Sequence, residues 1–169
     1  MLRRAIPEDA TNLAALAIQV WLHTYARDGI RSAISEYVLS EFTPEKFNRL
    51  ISDRCHSLLV AEITNHLVGY VTLKYGSPCP NDAQVQTEVA TLYVQEHFAR
   101  RGIGSALLSI CATVARDRTG DSALWLTVNC RNSDAIAFYR KRGFVQVGST
   151  DFLLGTERHE NQVLIRRGG

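Results

Sequence analysis

The stretch Glu88-Val89-Ala90-Thr91-Leu92-Tyr93-Val94, followed by Arg100-Arg101-Gly102-Ile103-Gly104 and then by Ser105-Ala106-Leu107-Leu108, decides the fold of this chain. Its first part is apolar and partly β-branched, which indicates a strand, and its last part begins an amphipathic helix. The glycines between the two parts mark a tight turn. A helix that begins at such a turn presents unpaired backbone N–H groups, which bind phosphates well. The stretch therefore predicts a candidate anion site.

The composition is typical of a globular protein that forms one domain, over residues 1–169. The formal net charge of +2 is too small to indicate nucleic acid or an anionic membrane as a partner. The cysteines form no C-x-x-C pair and have no histidine at metal-ligand spacing, so we expect no metal site and reduced thiols in a cytoplasmic protein. They are Cys55, Cys79, Cys111 and Cys130. We predict neither a signal peptide nor a membrane-spanning segment.

The hydrophobic periodicity predicts strand, two helices, three strands, helix, strand, helix and two strands, in that order. Predicted strands are Leu2 to Ile6, Leu58 to Ile63, Leu67 to Lys74, Gln84 to Val94, Ala123 to Val128, Phe144 to Gly148 and Gln162 to Arg166. Predicted helices open at Pro7, at Pro44, at Ile103 and at Asn132 or Ser133. This order predicts an α/β (α+β) fold with a mixed, largely antiparallel sheet of about seven strands, flanked by about four helices.

The glycine turn by itself leaves two interpretations open. A dinucleotide-binding fingerprint is a poor match, because Leu107 stands where the third glycine would be. The remaining choices are a phosphate cradle and a tight strand-to-helix turn without a ligand, and G-x-G alone favours neither.

A second motif runs from Asn132 to Phe144. It contains every local signal of a short helix: Asn132 or Ser133 as N-cap, cations in the last turn, and Gly143 at the stop. Folding explains those features. It explains Asn132 and Tyr139 less well, since each adds a polar group to a helix that otherwise packs through apolar side chains.

These two segments resemble the GNAT superfamily of N-acetyltransferases. Its acetyl-CoA signature is matched by Glu88 to Val94 with Arg101-Gly102-Ile103-Gly104-Ser105-Ala106-Leu107-Leu108, and its later signature by Asn132-x-x-Ala135-x-x-Phe138-Tyr139. Ala99 is a departure, because the family usually has Gln or Arg there. The resemblance implies a GNAT-type domain that binds acetyl-CoA through Leu92, Tyr93, Val94, Arg100, Arg101, Gly102, Ile103, Gly104, Ser105, Asn132 and Tyr139.

The resemblance also implies a direct-transfer mechanism. A bulge would separate the Glu88 to Val94 strand from its neighbour and admit the pantetheine, with the backbone N–H of Leu92 or Tyr93 facing the thioester oxygen. Glu88 would take the amine proton, directly or through water, and Tyr139 would protonate the departing sulfur. The alternatives are a solvated carboxylate for Glu88 and a core residue for Tyr139.

The resemblance implies that the acceptor binds at the first two helices, where Trp21 and Tyr25 are substrate-binding candidates. Glu88, in the strand before the glycine turn, is a third candidate. Core packing explains Trp21 about as well. The leading hypothesis is an N-acetyltransferase acting on a primary amine of a small molecule or a protein, as a monomer or homodimer. The alternatives are a non-catalytic acyl-CoA-binding regulatory module and an acyltransferase with a longer acyl donor.

Overall fold

The elements of the fold follow the predicted order closely. The structure, a computed structural model, describes residues 1–168. Within them, the strands are β1 Leu2–Arg4, β2 His56–Ile63, β3 His66–Lys74, β4 Glu88–Val94, β5 Leu124–Asn129, β6 Val145–Leu154 and β7 Glu157–Arg166. The α-helices are α1 Ala10–Tyr25, α2 Ser32–Glu41, α3 Pro44–Ser52, α4 Ile103–Thr119 and α5 Ser133–Arg140.

Helix α2 is the element that the periodicity did not predict. Its apolar stripe consists mainly of Ile34 and Val38, which are 5% and 3% exposed. Serine hydroxyls compete with the helix ladder for backbone carbonyls, as Ser40 does by donating to the Glu36 carbonyl at 2.6 Å. Packing supports the helix instead, because the Tyr37 ring lies 5.0 Å from the Trp21 ring of α1.

The strands lie in the order β1-β2-β3-β4-β5-β7-β6 and are mostly antiparallel, which confirms the predicted fold class. Strand β4 pairs with β5 in parallel, with Glu88 opposite Trp125. The β2–β3 hairpin closes through Thr64 and Asn65, both with positive φ, as a two-residue hairpin turn requires. The β6–β7 hairpin is longer than its two predicted strands, because the pairing extends outward to Leu154 and Glu157.

Residue contacts group the chain into two compact units, and strands β3 and β4 and helix α4 each pass from one unit into the other. The first unit contains Met1–Thr72 and Thr91–Ile110. Its core joins the buried stripe of α1 to Phe47 of α3, to Leu58 and Val60 of β2 and to Tyr70 of β3. The second unit contains Leu73–Ala90 and the described residues from Cys111 on. Its core cluster consists of Cys79, Val85, Ala123, Trp125, Val163 and Ile165.

Helix α4 buries one stripe and exposes the opposite side. Leu107, Leu108, Cys111 and Ala115 are all fully buried, at the helical spacing of a core-facing stripe. Ser109 and Thr113 are exposed. The amphipathic character predicted for this helix is therefore present. No helix in residues 1–168 combines the length and the apolar character needed to cross a bilayer.

Candidate functional site

The glycine turn has an unusual backbone. After β4 ends at Val94, a single 3₁₀ turn at Glu96–Phe98 leads into residues 99–102, and α4 begins at Ile103. Arg100 has φ +61° and Gly102 has φ +82°, so two left-handed residues occur within three positions. Left-handed conformation is uncommon for a residue with a side chain, and it tends to be retained where it serves a function. Such turns arrange successive N–H groups into an anion-binding concavity.

The same turn leaves room for an anion to approach the backbone. A Cβ added to Gly102 would meet nothing within 4 Å. The first hydrogen bond of α4 runs from the Ala106 N–H to the Gly102 carbonyl at 2.9 Å, so the N–H groups of the first turn precede the intrahelical ladder. Arg100 and Arg101 are exposed, and the Arg101 guanidinium lies 5.3 Å from the centre of the Phe98 ring. This arrangement suits a phosphate group chemically.

The carboxyl-terminal half of β4 carries Leu92, Tyr93 and Val94, all of them half-buried. A Cβ on Gly69 of β3 would lie 2.8 Å from the Tyr93 carbonyl oxygen, so glycine at position 69 permits the close approach of β3 to β4. The Tyr93 ring contacts the rings of Tyr70 and Phe42 at 5.6 and 6.4 Å.

Glu88 begins β4, lies in the second unit and is half-buried. Its Oε2 accepts a hydrogen bond from the Ser77 hydroxyl at 2.9 Å. The Ser77 carbonyl in turn accepts from the indole Nε1–H of Trp125 at 2.7 Å. The carboxylate is therefore held by a neighbour and is not a freely rotating surface group.

Helix α5, also in the second unit, carries Asn132 and Tyr139 at its two ends. The Asn132 Oδ1 accepts from the Ala135 N–H at 3.1 Å, which confirms Asn132 as the N-cap. The half-buried Tyr139 ring lies 5.2 Å from the Phe138 ring and 5.6 Å from the Phe144 ring. The Tyr139 carbonyl accepts from the Phe144 N–H at 3.2 Å, so the helix stop also fixes the residue's backbone.

Trp21 and Tyr25 belong to an aromatic group in the first unit. Trp21 is 4% exposed, with its ring 4.9 Å from the Tyr25 ring and 5.0 Å from the Tyr37 ring. Tyr25 is 41% exposed. Trp21 is thus a core residue, whereas Tyr25 presents its surface to solvent. Burial, helped by the nearby Glu41 and Tyr25, raises the pKa of Tyr37 to about 12.

The predicted site residues therefore form two sets, one in each unit. The first unit holds Trp21, Tyr25, Leu92, Tyr93, Val94, Arg100, Arg101, Gly102, Ile103, Gly104 and Ser105. The second unit holds Glu88, Asn132 and Tyr139. Sequence reasoning missed Ser77 and Tyr37. Tyr37 lies in the unpredicted α2, and Ser77 lies in a loop eleven positions before its partner, where no local pattern signals the contact.

Comparison with known proteins identifies relatives of this chain. Residues 19–144 match the model of the acetyltransferase (GNAT) family. An uncharacterized N-acetyltransferase of Mycobacterium tuberculosis is 28% identical over 158 residues, which cover 94% of this chain and 97% of that protein. An N-alpha-acetyltransferase of Sulfurisphaera tokodaii is 31% identical over 96 residues, covering 54% of this chain and 58% of that protein.

A solved structure has the same fold over nearly the full length. The PaiA N-acetyltransferase of Thermoplasma acidophilum, crystallised in complex with coenzyme A, has a TM-score of 0.79 and 22% identity, and the match covers 99% of this chain and 98% of that protein.

Proposed function

Because the chain belongs to the acetyltransferase (GNAT) family, we propose that it transfers an acetyl group from acetyl-CoA to a primary amine of a small molecule or a protein. The observation that carries the proposal is the turn before α4, where two left-handed residues and open space at Gly102 suit a phosphate group. This turn lies inside the part of the chain that matches the family model.

The proposed donor-binding residues have separate tasks. In the first unit, backbone N–H groups of the segment from Gly102 to Ser105 bind the pyrophosphate, and Arg100 and Arg101 contact the phosphates from their exposed positions. Leu92, Tyr93 and Val94 offer backbone groups of β4 to the pantetheine arm. In the second unit, Asn132 and Tyr139 complete the set. Acetyl-CoA supplies the activated acyl group.

We assign the proton transfers to two side chains of the second unit. Glu88 accepts the proton of the amine, directly or through a water molecule, so that the neutral nitrogen attacks the thioester carbonyl. A backbone N–H of Leu92 or Tyr93 stabilises the negative charge that develops on the carbonyl oxygen. When the carbon–sulfur bond breaks, Tyr139 donates its phenolic proton to the sulfur, and the proton that the nitrogen loses as the amide forms restores the phenol.

The acceptor contacts are proposed at the aromatic group of the first unit and at Glu88. Tyr25 is the contact best supported there, because it is exposed and its ring packs on Trp21. An exposed aromatic face attracts an ammonium group or covers an apolar one. Trp21 is buried, and we assign it the role of packing against the Tyr25 ring.

The test is an assay of free thiol release from acetyl-CoA with a library of primary amines and amino-terminal peptides. We expect release that depends on one class of amine, with acetylation of that amine confirmed by mass spectrometry. Saturable coenzyme A binding without thiol release for any amine would favour a regulatory acyl-CoA-binding module. Faster thiol release from a longer acyl-CoA would indicate that the longer acyl-CoA is the donor. Absence of coenzyme A binding would reject the proposal.

A further inference from the structure

Ser77 is a residue that neither the family signatures nor the mechanism above employs, and it holds the candidate base. Its hydroxyl donates a hydrogen bond to Glu88 Oε2 at 2.9 Å. Ser77 itself is fixed by two backbone contacts, its N–H donating to the Gln86 carbonyl at 3.0 Å and its carbonyl accepting from Trp125 Nε1 at 2.7 Å.

The loop that carries Ser77 is anchored at several independent points. We call residues 75–87 the Ser77 loop. Cys79 and Val85 of this loop are each 2% exposed and belong to the core cluster of the second unit. Asp82 forms an ion pair with Arg167 at 2.8 Å. Asn81 lies directly over Gly148 of β6, where a Cβ would overlap its carboxamide.

These anchors hold the Ser77 hydroxyl in a fixed position beside Glu88. A loop without regular structure is ordinarily mobile, and mobility would spread the position of a hydroxyl that it carries. Here core packing, an ion pair and the indole hydrogen bond immobilise the loop, so that the Ser77 hydroxyl stays at a fixed place. Glu88 starts β4 opposite Trp125, and the residue that faces it in the sheet therefore also clamps the serine that binds it.

We propose that Ser77, clamped by Trp125, is a positioning residue that fixes the Glu88 carboxylate for proton abstraction. The inference rests on the proposed role of Glu88 as the base. By occupying Oε2, the hydroxyl selects one side-chain rotamer and directs Oε1 to the amine or to its bridging water. Because the carboxylate is already fixed, the entropy cost of ordering that side chain is not added to the activation barrier.

The decisive variant is Ser77→Ala, because both backbone contacts of Ser77 survive in it and only the hydroxyl is lost. We expect kcat to fall about tenfold while KM for acetyl-CoA changes less than twofold. Ser77→Thr, which keeps a hydroxyl, restores most of kcat. Trp125→Phe keeps an aromatic ring but removes the N–H donor, and it lowers kcat in the same direction. Ser149→Ala, at an exposed serine of β6, is the matched control and leaves kcat unchanged.

A spectroscopic measurement makes the test independent of turnover. The carboxyl ¹³C resonance of Glu88, assigned through its loss in Glu88→Gln, shifts in Ser77→Ala and returns toward the wild-type position in Ser77→Thr. An unchanged resonance in Ser77→Ala would overturn the hydrogen bond itself. Unchanged kcat in Ser77→Ala, when Glu88→Gln loses activity, would overturn the positioning role. Full activity of Glu88→Gln would reject the proposed base, which is a different failure.

Discussion

At the scale of single residues, the polar groups of the second unit are held by their neighbours. The Tyr139 ring lies between Phe138 and Phe144, and Phe144 is 2% exposed. Edge contacts of this kind orient an aromatic ring without using its hydroxyl. Tyr139→Phe keeps the ring that makes both contacts and removes only the hydroxyl, so this variant tests the chemistry of that group.

Tyr139→Phe should lower kcat about 100-fold, because the departing thiolate loses its proton donor. The coenzyme A dissociation constant should change much less, since the ring contacts with Phe138 and Phe144 remain. Steady-state kinetics and calorimetric titration with coenzyme A measure the two quantities. Tyr75→Phe is the control, because its ring lies against Arg118 at 4.8 Å and has no proposed catalytic role. Unchanged turnover in Tyr139→Phe would remove Tyr139 from the mechanism.

At the scale of elements, the two ends of α4 offer a natural comparison. Gly102 precedes the helix with φ +82°, and Gly120 follows it with φ +81°. An added Cβ meets nothing within 4 Å at either position. The two glycines thus have the same backbone requirement and the same free space, but only Gly102 lies at the helix end where N–H groups attract anions.

Gly102→Ala and Gly120→Ala should each lower the free energy of unfolding by about 1 to 2 kcal/mol, the cost of a left-handed alanine. Only Gly102→Ala should also weaken coenzyme A binding, by about tenfold, because its methyl group occupies the space through which a phosphate approaches the backbone. Urea denaturation and calorimetric titration provide the two measurements. Equal coenzyme A affinity in both variants would argue against a phosphate site at this turn.

At the scale of the whole molecule, a partly buried ion-pair network links the stability of the fold to pH. The Arg3 guanidinium of β1 bridges Asp9 and Glu62, with nitrogen–oxygen distances of 2.7 and 2.8 Å. Asp9 is 6% exposed and also accepts from the Ile6 N–H at 2.9 Å. The hydrogen bond from Arg3 is the main reason why the pKa of Asp9 lies below its ordinary value, with the Ile6 N–H contributing and burial opposing.

The stability of the fold should consequently depend on acid through Asp9. Because its folded-state pKa lies below the unfolded value of about 3.9, its contribution is complete above that pH and is lost as the pH falls through the folded value. Asp9→Asn should have a lower free energy of unfolding than the wild type at neutral pH. Between about pH 5 and 2, its free energy of unfolding should fall less than that of the wild type. Denaturant titrations over this range measure the difference. A parallel pH dependence in wild type and Asp9→Asn would contradict the assignment.

Thiol reactivity should follow burial in the intact fold. Cys55 is exposed, whereas Cys111 is fully buried and its burial raises its pKa to about 12. Since the thiolate is the nucleophile, iodoacetamide at about pH 8 should alkylate Cys55 in the folded protein and spare Cys111 until denaturant is added. Peptide mass spectrometry distinguishes the two sites. Equal labelling rates without denaturant would show that α4 opens in the native state.

Local sequence signals determined much of this protein. Alternating and helical apolar patterns, the N-cap of α5, and the glycine turn are short-range features, and the structure has each of them near its predicted place. The two family signatures depend on the same local order, which is why the fold class and the family followed from them. Helix α2 escaped prediction because its stability comes from contacts such as Tyr37 on Trp21, and its own serines work against it.

Only the tertiary structure decided how the candidate base is held. Ser77 is 48 positions from Trp125 in the chain, and no periodicity connects an irregular loop to a strand at that distance. The left-handed conformation of Arg100 is equally invisible in its residue type, because arginine does not favour it and the surrounding turn imposes it. Residue types specify which groups are present, whereas packing over long separations specifies their positions and orientations.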